Sequence, residues 1–437
     1  MSATWMNGQI PQVSTTAPAA GTWPASSNAV PFGMPGVGVS DSTVYATFLL
    51  LAVVMHHWLL CLLHTKGISV SVARVAMAEM VIYIACVPLL LARLSLRSLI
   101  TVFVVLGATG VLALFRGGYF DAKSARDLLI PLVFLWAGRA FGQNGRSLDQ
   151  PLLLICGVVT LIGLVQAVIP NVYNGLFNTF SYYVSLGGIS ESSAQVAGQS
   201  VTLNGLRPEG IGRTLLPQVL GAQRVASVFL EPVSLGNFAV IMLAWGLAKP
   251  FEEWRVSVWF VLAAVVCIVL ADSRFGLYMT GLIVLLRLAL HGRAHWLGLV
   301  FPGIGALALL VLAAYSPGVG DNLVGRMTVS GQWLLTFDEM SLLGMRDYAT
   351  NFGDMGYAYV FSRFSLVGAA LMWICVYAIP LRDEPARRFR TFMSAYVTLI
   401  LCVSGTSLFA LKTAGVMWFA LGALSMRKTD TEQGVPT

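Results

Sequence analysis

Residues 43–63 read TVYATFLLLAVVMHHWLLCLL, a run of twenty-one positions without an Asp, Glu, Lys or Arg. As a helix rising 1.5 Å per residue it is about 30 Å long, the thickness of a bilayer's hydrocarbon core. Its apolar residues cover nearly every face rather than one stripe, which separates it from the surface helix of a soluble domain. Similar runs recur near 74–92, 98–114, 127–141 and 151–169. They recur again near 234–248, 255–271, 275–290 and 296–314, and last near 357–379, 391–408 and 411–425. The runs are continuous, whereas a β-barrel shows short alternating segments. The expected fold is therefore an all-α polytopic membrane protein with about twelve transmembrane helices.

Composition points the same way. Charged residues make up 11% of the 437 and the mean hydropathy is +0.77, whereas soluble domains carry roughly a quarter charged residues. The net charge of +7 has no soluble basic domain to sit on, so nucleic acid is excluded as a partner. Cys61, Cys86, Cys156, Cys267, Cys375 and Cys402 all fall in apolar runs without CxxC or Cys/His spacing. They read as small core residues, not as disulfides or a zinc framework. Residues 1–42 are rich in Pro, Ala, Ser and Thr, with Asp41 the one charge. They read as a disordered polar tail and lack the layout of a cleavable signal. Residues 43–425 then form a single membrane domain and 426–437 a cytoplasmic tail.

Charge sets the orientation. With twelve spans, one side collects Arg93, Arg97, Arg146, Lys249, Arg255, Arg293, Arg382, Arg387, Arg388, Arg390, Arg427 and Lys428. That side is cytoplasmic by the positive-inside rule, and both termini lie on it. Two long extracytoplasmic loops follow, near 170–233 and 315–356. Lys66, Arg116, Lys123 and Arg126 fall outside against the rule. The 127–141 run is short and holds Pro131 and Arg139. If it does not span, those four cations move inside and the N-terminus moves out.

The outer arginines are the chemical anomaly. Arg207, Arg213 and Arg224 lie in the first loop, Arg274 in the link Ala271-Asp-Ser-Arg-Phe-Gly276, and Arg326 and Arg346 in the second loop. A guanidinium offers a planar fork of donors suited to phosphate. The plainer alternative is ordinary ion pairing with Glu209, Glu231, Asp338 and Asp347. Glu231 precedes Pro232 at an expected helix start, and reads either as a capping carboxylate or as a general base. Asp354 and Tyr357, in Gly353-Asp-Met-Gly-Tyr357, would stand at the outer mouth of the tenth span. They read as second base and ligand contact, or as a turn with a cap and an interfacial aromatic.

Three segments in order carry a resemblance: Arg224 to Phe238 with Phe229, Pro232 and Gly236, then Ser273-Arg-Phe-Gly276, then Gly353-Asp-Met-Gly-Tyr357 before a span. Over roughly 200–425 this resembles the Wzy polymerase / O-antigen ligase superfamily, closest in flavour to xanthan-type exopolysaccharide polymerases. The resemblance implies a GT-C-like, metal-independent glycosyltransferase in a bacterial inner membrane. Its substrate would be an undecaprenyl-pyrophosphate-linked oligosaccharide, with membrane lipids, chain-length regulators and export proteins as partners. Arg224 and Arg274 would clamp the pyrophosphate, with Arg207, Arg213, Arg346 and Tyr357 as further substrate contacts, and Glu231 or Asp354 as the catalytic base. No cofactor or metal is expected, since no Asp-x-Asp pair is present. An O-antigen ligase is disfavoured because none of His56, His57, His64, His291 and His295 lies in the second loop. A transporter or flippase would gather ionisable residues inside its spans, where this sequence shows chiefly Glu79, Arg363 and Lys412.

Overall fold

The computed structural model describes residues 39–91, 96–118, 120–143, 145–188, 213–221, 223–290, 292–316, 322–346, 352–353, 355–405 and 407–426. Among them every regular element is helical. In chain order these are α1 (Val39–Thr65), α2 (Val72–Leu91), α3 (Leu96–Phe115), α4 (Ala122–Gly142), α5 (Asp149–Val168), α6 (Pro170–Leu176) and α7 (Thr179–Ser185). Then come α8 (Pro217–Leu220), α9 (Pro232–Ala248), α10 (Trp254–Ala271), α11 (Arg274–Ala289), α12 (Phe301–Tyr315), α13 (Leu323–Leu335) and α14 (Glu339–Leu342). The last four are α15 (Gly356–Phe364), α16 (Leu366–Ala378), α17 (Glu384–Val403) and α18 (Leu411–Leu424).

Each apolar run of the sequence holds a helix or, at 357–379, a helix pair. Among the described residues, five helices are long and apolar enough to cross a membrane, or six if α15 and α16 are one bent span. The sequence-expected tail 1–42 lies outside the described residues except at its end, where α1 already begins at Val39; of the tail 426–437, only Met426 is described.

The 127–141 run, the weakest by sequence, belongs to a helix held by close backbone packing. A Cβ on Gly138 would stand 2.0 Å from the Phe419 carbonyl oxygen, and one on Gly142 2.3 Å from that of Ala423. From the other side, a Cβ on Gly422 would stand 2.1 Å from the Leu135 carbonyl oxygen. Only glycine lets two backbones meet at this range. The matched four-residue steps also show that α4 and α18 run parallel. Lys412 of α18 bonds Glu231, which caps α9, so α4, α9 and α18 all begin at one end of the bundle, here called the head. At the foot, Lys249 at the C-cap of α9 and Trp245 within it meet Asp149 of α5 at 2.8 and 2.9 Å, and Trp245 packs edge-on to Phe389 of α17.

Burial is uneven. In α1 and α5, 39% of the most apolar window is buried, against 6% in α3. A helix apolar all round and buried on almost no side is suited to a lipid surrounding. The tenth run is broken at Ser365, whose φ of +62° cannot continue a helix, and α15 and α16 meet at 102°. The Ser365 Oγ accepts the Gly368 N–H and starts α16. Arg116 fixes the break from outside, donating to the carbonyls of Gly344, Ser362 and Arg363 at 2.6–3.0 Å.

The expected outer loops are partly regular. α6 and α7 fold back on α1: the Asn178 N–H donates to Thr65 Oγ1, and Trp58 stacks on Phe177. α13 lies against α12, with Gly331 admitting the Leu309 carbonyl.

Candidate functional site

The head of the bundle is organised by residues 225–231. Val225 to Leu230 are fully buried although they form only one 3-10 turn, Ser227–Phe229. Backbone polar groups buried without a helix need other partners. Gln166 supplies them, its Oε1 accepting the Ala226 and Ser227 N–H groups at 3.0 and 2.7 Å. The Tyr173 hydroxyl donates to the Ser227 carbonyl, the Ser227 hydroxyl to the Val159 carbonyl, and the Val225 N–H to the Leu270 carbonyl. Leu230 then takes a left-handed φ of +62°, a conformation costing of order 1–3 kcal/mol outside glycine. This reversal delivers Glu231 to the N-cap of α9 with Pro232 at the first helical position.

Glu231 makes no side-chain bond to the α9 backbone. Its Oε2 instead accepts the Ser234 hydroxyl at 2.8 Å and the Lys412 ammonium at 3.0 Å. Lys412, itself buried, also donates to the Phe229 carbonyl at 3.0 Å. Burial works to raise the Glu231 carboxyl, but Lys412, Ser234 and the Tyr183 hydroxyl outweigh it and hold it below the ordinary glutamate range. The group is thus a carboxylate with a fixed counter-charge, able to accept a proton only weakly.

The sequence-predicted arginines part company. Arg213 is buried and spends its guanidinium on carbonyls: Leu215 at 3.2 Å, Gln223 and Leu270 at 3.0 Å each, and Val269. Asp272, at φ +51°, accepts the Thr214 and Leu215 N–H groups at 3.1 and 2.8 Å. Together they fasten the end of the first loop to the end of α10. Arg224 is half-buried at the entrance to the buried segment, and Arg274 half-buried at the first position of α11. Ser273 caps α11, accepting the Gly276 N–H, and a Cβ on Gly236 would stand 2.4 Å from its Oγ. The Ser273-Arg274 link is therefore seated on the second turn of the helix that Glu231 heads.

Arg346 is exposed and ion-paired with Asp338, one of the partners expected under the plainer reading. The Ser341 hydroxyl and N–H, with Arg346, hold the Asp338 carboxyl below its usual range. Tyr357 is buried, its hydroxyl donating to the Pro302 carbonyl at 2.8 Å. Its neighbours Gly353 and Gly356 lie against Gly405 and Leu401, the first through a 2.8 Å backbone bond. Arg207 and Asp354 lie outside the described residues.

A second set of head residues was not singled out by the arginine argument. Arg126 bridges Glu79 at 3.3 Å and Asp127 at 2.9 Å, and Tyr359 donates to Asp127 at 2.6 Å. Lys123 stands 5.1 Å over the Tyr359 ring, and Arg363 pairs with Asp121 at 2.6 Å. Arg116, Lys123 and Arg126 are three of the four cations that broke the expected positive-inside pattern, and that breach was the available signal. Glu79 and Arg363, two of the ionisable residues noted inside the apolar runs, pair with Arg126 and Asp121 respectively.

The arrangement offers an ionised carboxylate against an ammonium and a tyrosine hydroxyl. It can orient a hydroxyl and balance a developing anion. An open groove of about 850 Å³, lined by His295, Trp296, Tyr377, Arg387 and Arg390 among others, lies at the foot instead. Compared with protein-family models, curated proteins and solved structures, the chain matches none of them.

Proposed function

We propose that the protein is a polysaccharide polymerase of the Wzy kind. It joins undecaprenyl-pyrophosphate-linked oligosaccharide units at the outer face of a bacterial inner membrane, with the lipid pyrophosphate leaving. The observation that carries the reading is the contact of Gly236 with Ser273: two of the three family-like segments, far apart in sequence, meet beside Glu231. In this reading the spans number about twelve, the architecture is GT-C-like, and the head faces outward. Arg224 and Arg274 hold the pyrophosphate, Glu231 takes up the acceptor hydroxyl's proton, and Lys412 keeps Glu231 ionised and in place. The pyrophosphate is a good leaving group once its charge is met, so a weak base suffices.

One observation favours a second reading, a transporter or flippase: Glu79, Arg126 and Asp127 form a linked set between α2 and α4, where proton- or ion-coupled carriers place such groups. Analysis of carrier lipids in a strain lacking the protein separates the readings. Accumulated single repeat units at the outer face support the polymerase. Long lipid-linked chains would mean a ligase, and units confined to the inner leaflet a flippase.

A further inference from the structure

His56 and His57 of α1 and Glu79 of α2 converge, with one ligand atom from each lying within 4.8 Å of the others. Successive helical residues ordinarily diverge by about 100°, yet these two rings sit with centroids 4.4 Å apart. Each ring already uses one nitrogen. His56 Nδ1 donates to the Val53 carbonyl at 2.9 Å, and His57 Nδ1 lies 2.8 Å from the Tyr182 hydroxyl. That leaves Nε2 on both rings. The Nε2 of His56 is buried and has no hydrogen-bond partner, in a residue only 6% exposed. A buried nitrogen lone pair without a partner is costly, and this ring stands beside a second imidazole and a carboxylate.

We propose that His56, His57 and Glu79 bind a divalent transition metal, with zinc the ion these donors suit best. Two imidazoles and one carboxylate are a three-ligand zinc set that leaves a fourth position open. Magnesium and calcium call for oxygen-rich shells and are disfavoured. Ligating histidines characteristically hold their other ring nitrogen with a carbonyl or a similar group, as Val53 and Tyr182 do here. The nearby cations do not forbid the ion. Arg126 takes one Glu79 oxygen and is also met by Asp127, and Lys412 is met by Glu231. Zinc–ligand distances of about 2.0–2.2 Å require the three donors to close by roughly 1–1.5 Å, a side-chain adjustment. The ion would cross-link α1 to α2, and through Tyr182 to α7. Zinc retention is read without polymer, so its outcome is independent of the glycosyl-transfer reading.

The full chain, purified in detergent, stripped with chelator and desalted after incubation with zinc, should retain roughly one zinc per chain by elemental analysis. His57→Gln and Glu79→Gln should each retain under about a tenth of that, while the neighbouring His64→Gln keeps it. Because core variants can fail to fold, Tyr182→Phe gives a milder case, expected to weaken zinc about 10–100-fold. Cobalt(II) in place of zinc should give the visible absorption of a tetrahedral site, lost in the same variants. No retained zinc in the wild-type chain, or wild-type retention in both His57→Gln and Glu79→Gln, overturns the proposal.

Discussion

Lys412, the second residue of α18, holds Glu231 and the Phe229 carbonyl at 3.0 Å each. One ammonium thereby joins the last helix to the left-handed reversal that begins α9. The carboxylate is stabilised where it stands and cannot rotate away without leaving a buried cation unpaired, which is costly.

Glu231→Gln is expected to lower chain growth roughly 10²–10⁴-fold, and Lys412→Met to lower it comparably, with partial recovery in Lys412→Arg. Chain growth in membrane vesicles supplied with lipid-linked repeats measures this. Full activity in Lys412→Met would reduce the pair to a structural tie.

Arg213 and Arg274 should separate by phenotype. Arg213→Ala removes a donor from the Leu215, Gln223, Val269 and Leu270 carbonyls, of which Val269 and Leu270 keep the Asp272 and Val225 N–H groups; each group left unmet costs about 1–3 kcal/mol, and Tm in detergent should fall. Arg274→Ala and Arg224→Ala should instead leave Tm within a few degrees while lipid-linked single repeats accumulate. Normal polymer in both of the latter removes the pyrophosphate clamp.

Gly138→Val forces a side chain to within about 2 Å of the Phe419 carbonyl. Overpacking of this kind costs about 1–3 kcal/mol or more, and a backbone obstacle cannot swing aside as a side chain can. A clear fall in Tm or in membrane-inserted protein is expected. Gly157, with nothing near its Cβ position, serves as the control, and Gly157→Ala should be neutral.

At the foot, partial burial works to raise the Glu384 carboxyl, but hydrogen bonds from His295 and Arg387 with the charge of Arg388 bring it from 4.5 down to about 2. A depressed carboxylate stabilises the fold above its unfolded value and loses that contribution as pH falls through the folded one. Stability should therefore drop between pH 4.5 and about 2, and Glu384→Gln should flatten that part of a Tm-against-pH curve. An unchanged slope in the variant would assign the acid sensitivity to other groups.

The helical class was legible from hydropathy alone, because an apolar run long enough to span leaves the backbone no other way to meet its hydrogen bonds. The break at Ser365 was not, since its cause is a left-handed φ held by Arg116 and a seat on Gly344, distant in sequence. The 127–141 run looked weak because its stability comes from glycine contacts with α18, which hydropathy does not register. In the site, Glu231 was legible through Pro232 and its place at a helix start. Its partner was not, because Lys412 reads as an isolated charge inside an apolar run. Arg213 looked like a ligand contact because the expected topology put a cation where the positive-inside rule disfavours one, and sequence does not show the four carbonyls that occupy it.

The parallel seating of α4 on α18 bears on how the molecule is made. α4 leaves the ribosome well before α18, whose surface its glycines fit. Until α18 follows, Gly138 and Gly142 lack the backbone they seat against, and the buried carboxylate Asp127 waits in an incomplete wall. A chain cut short before residue 411 would lack that surface altogether, giving membrane proteases a ready distinction between finished and unfinished copies.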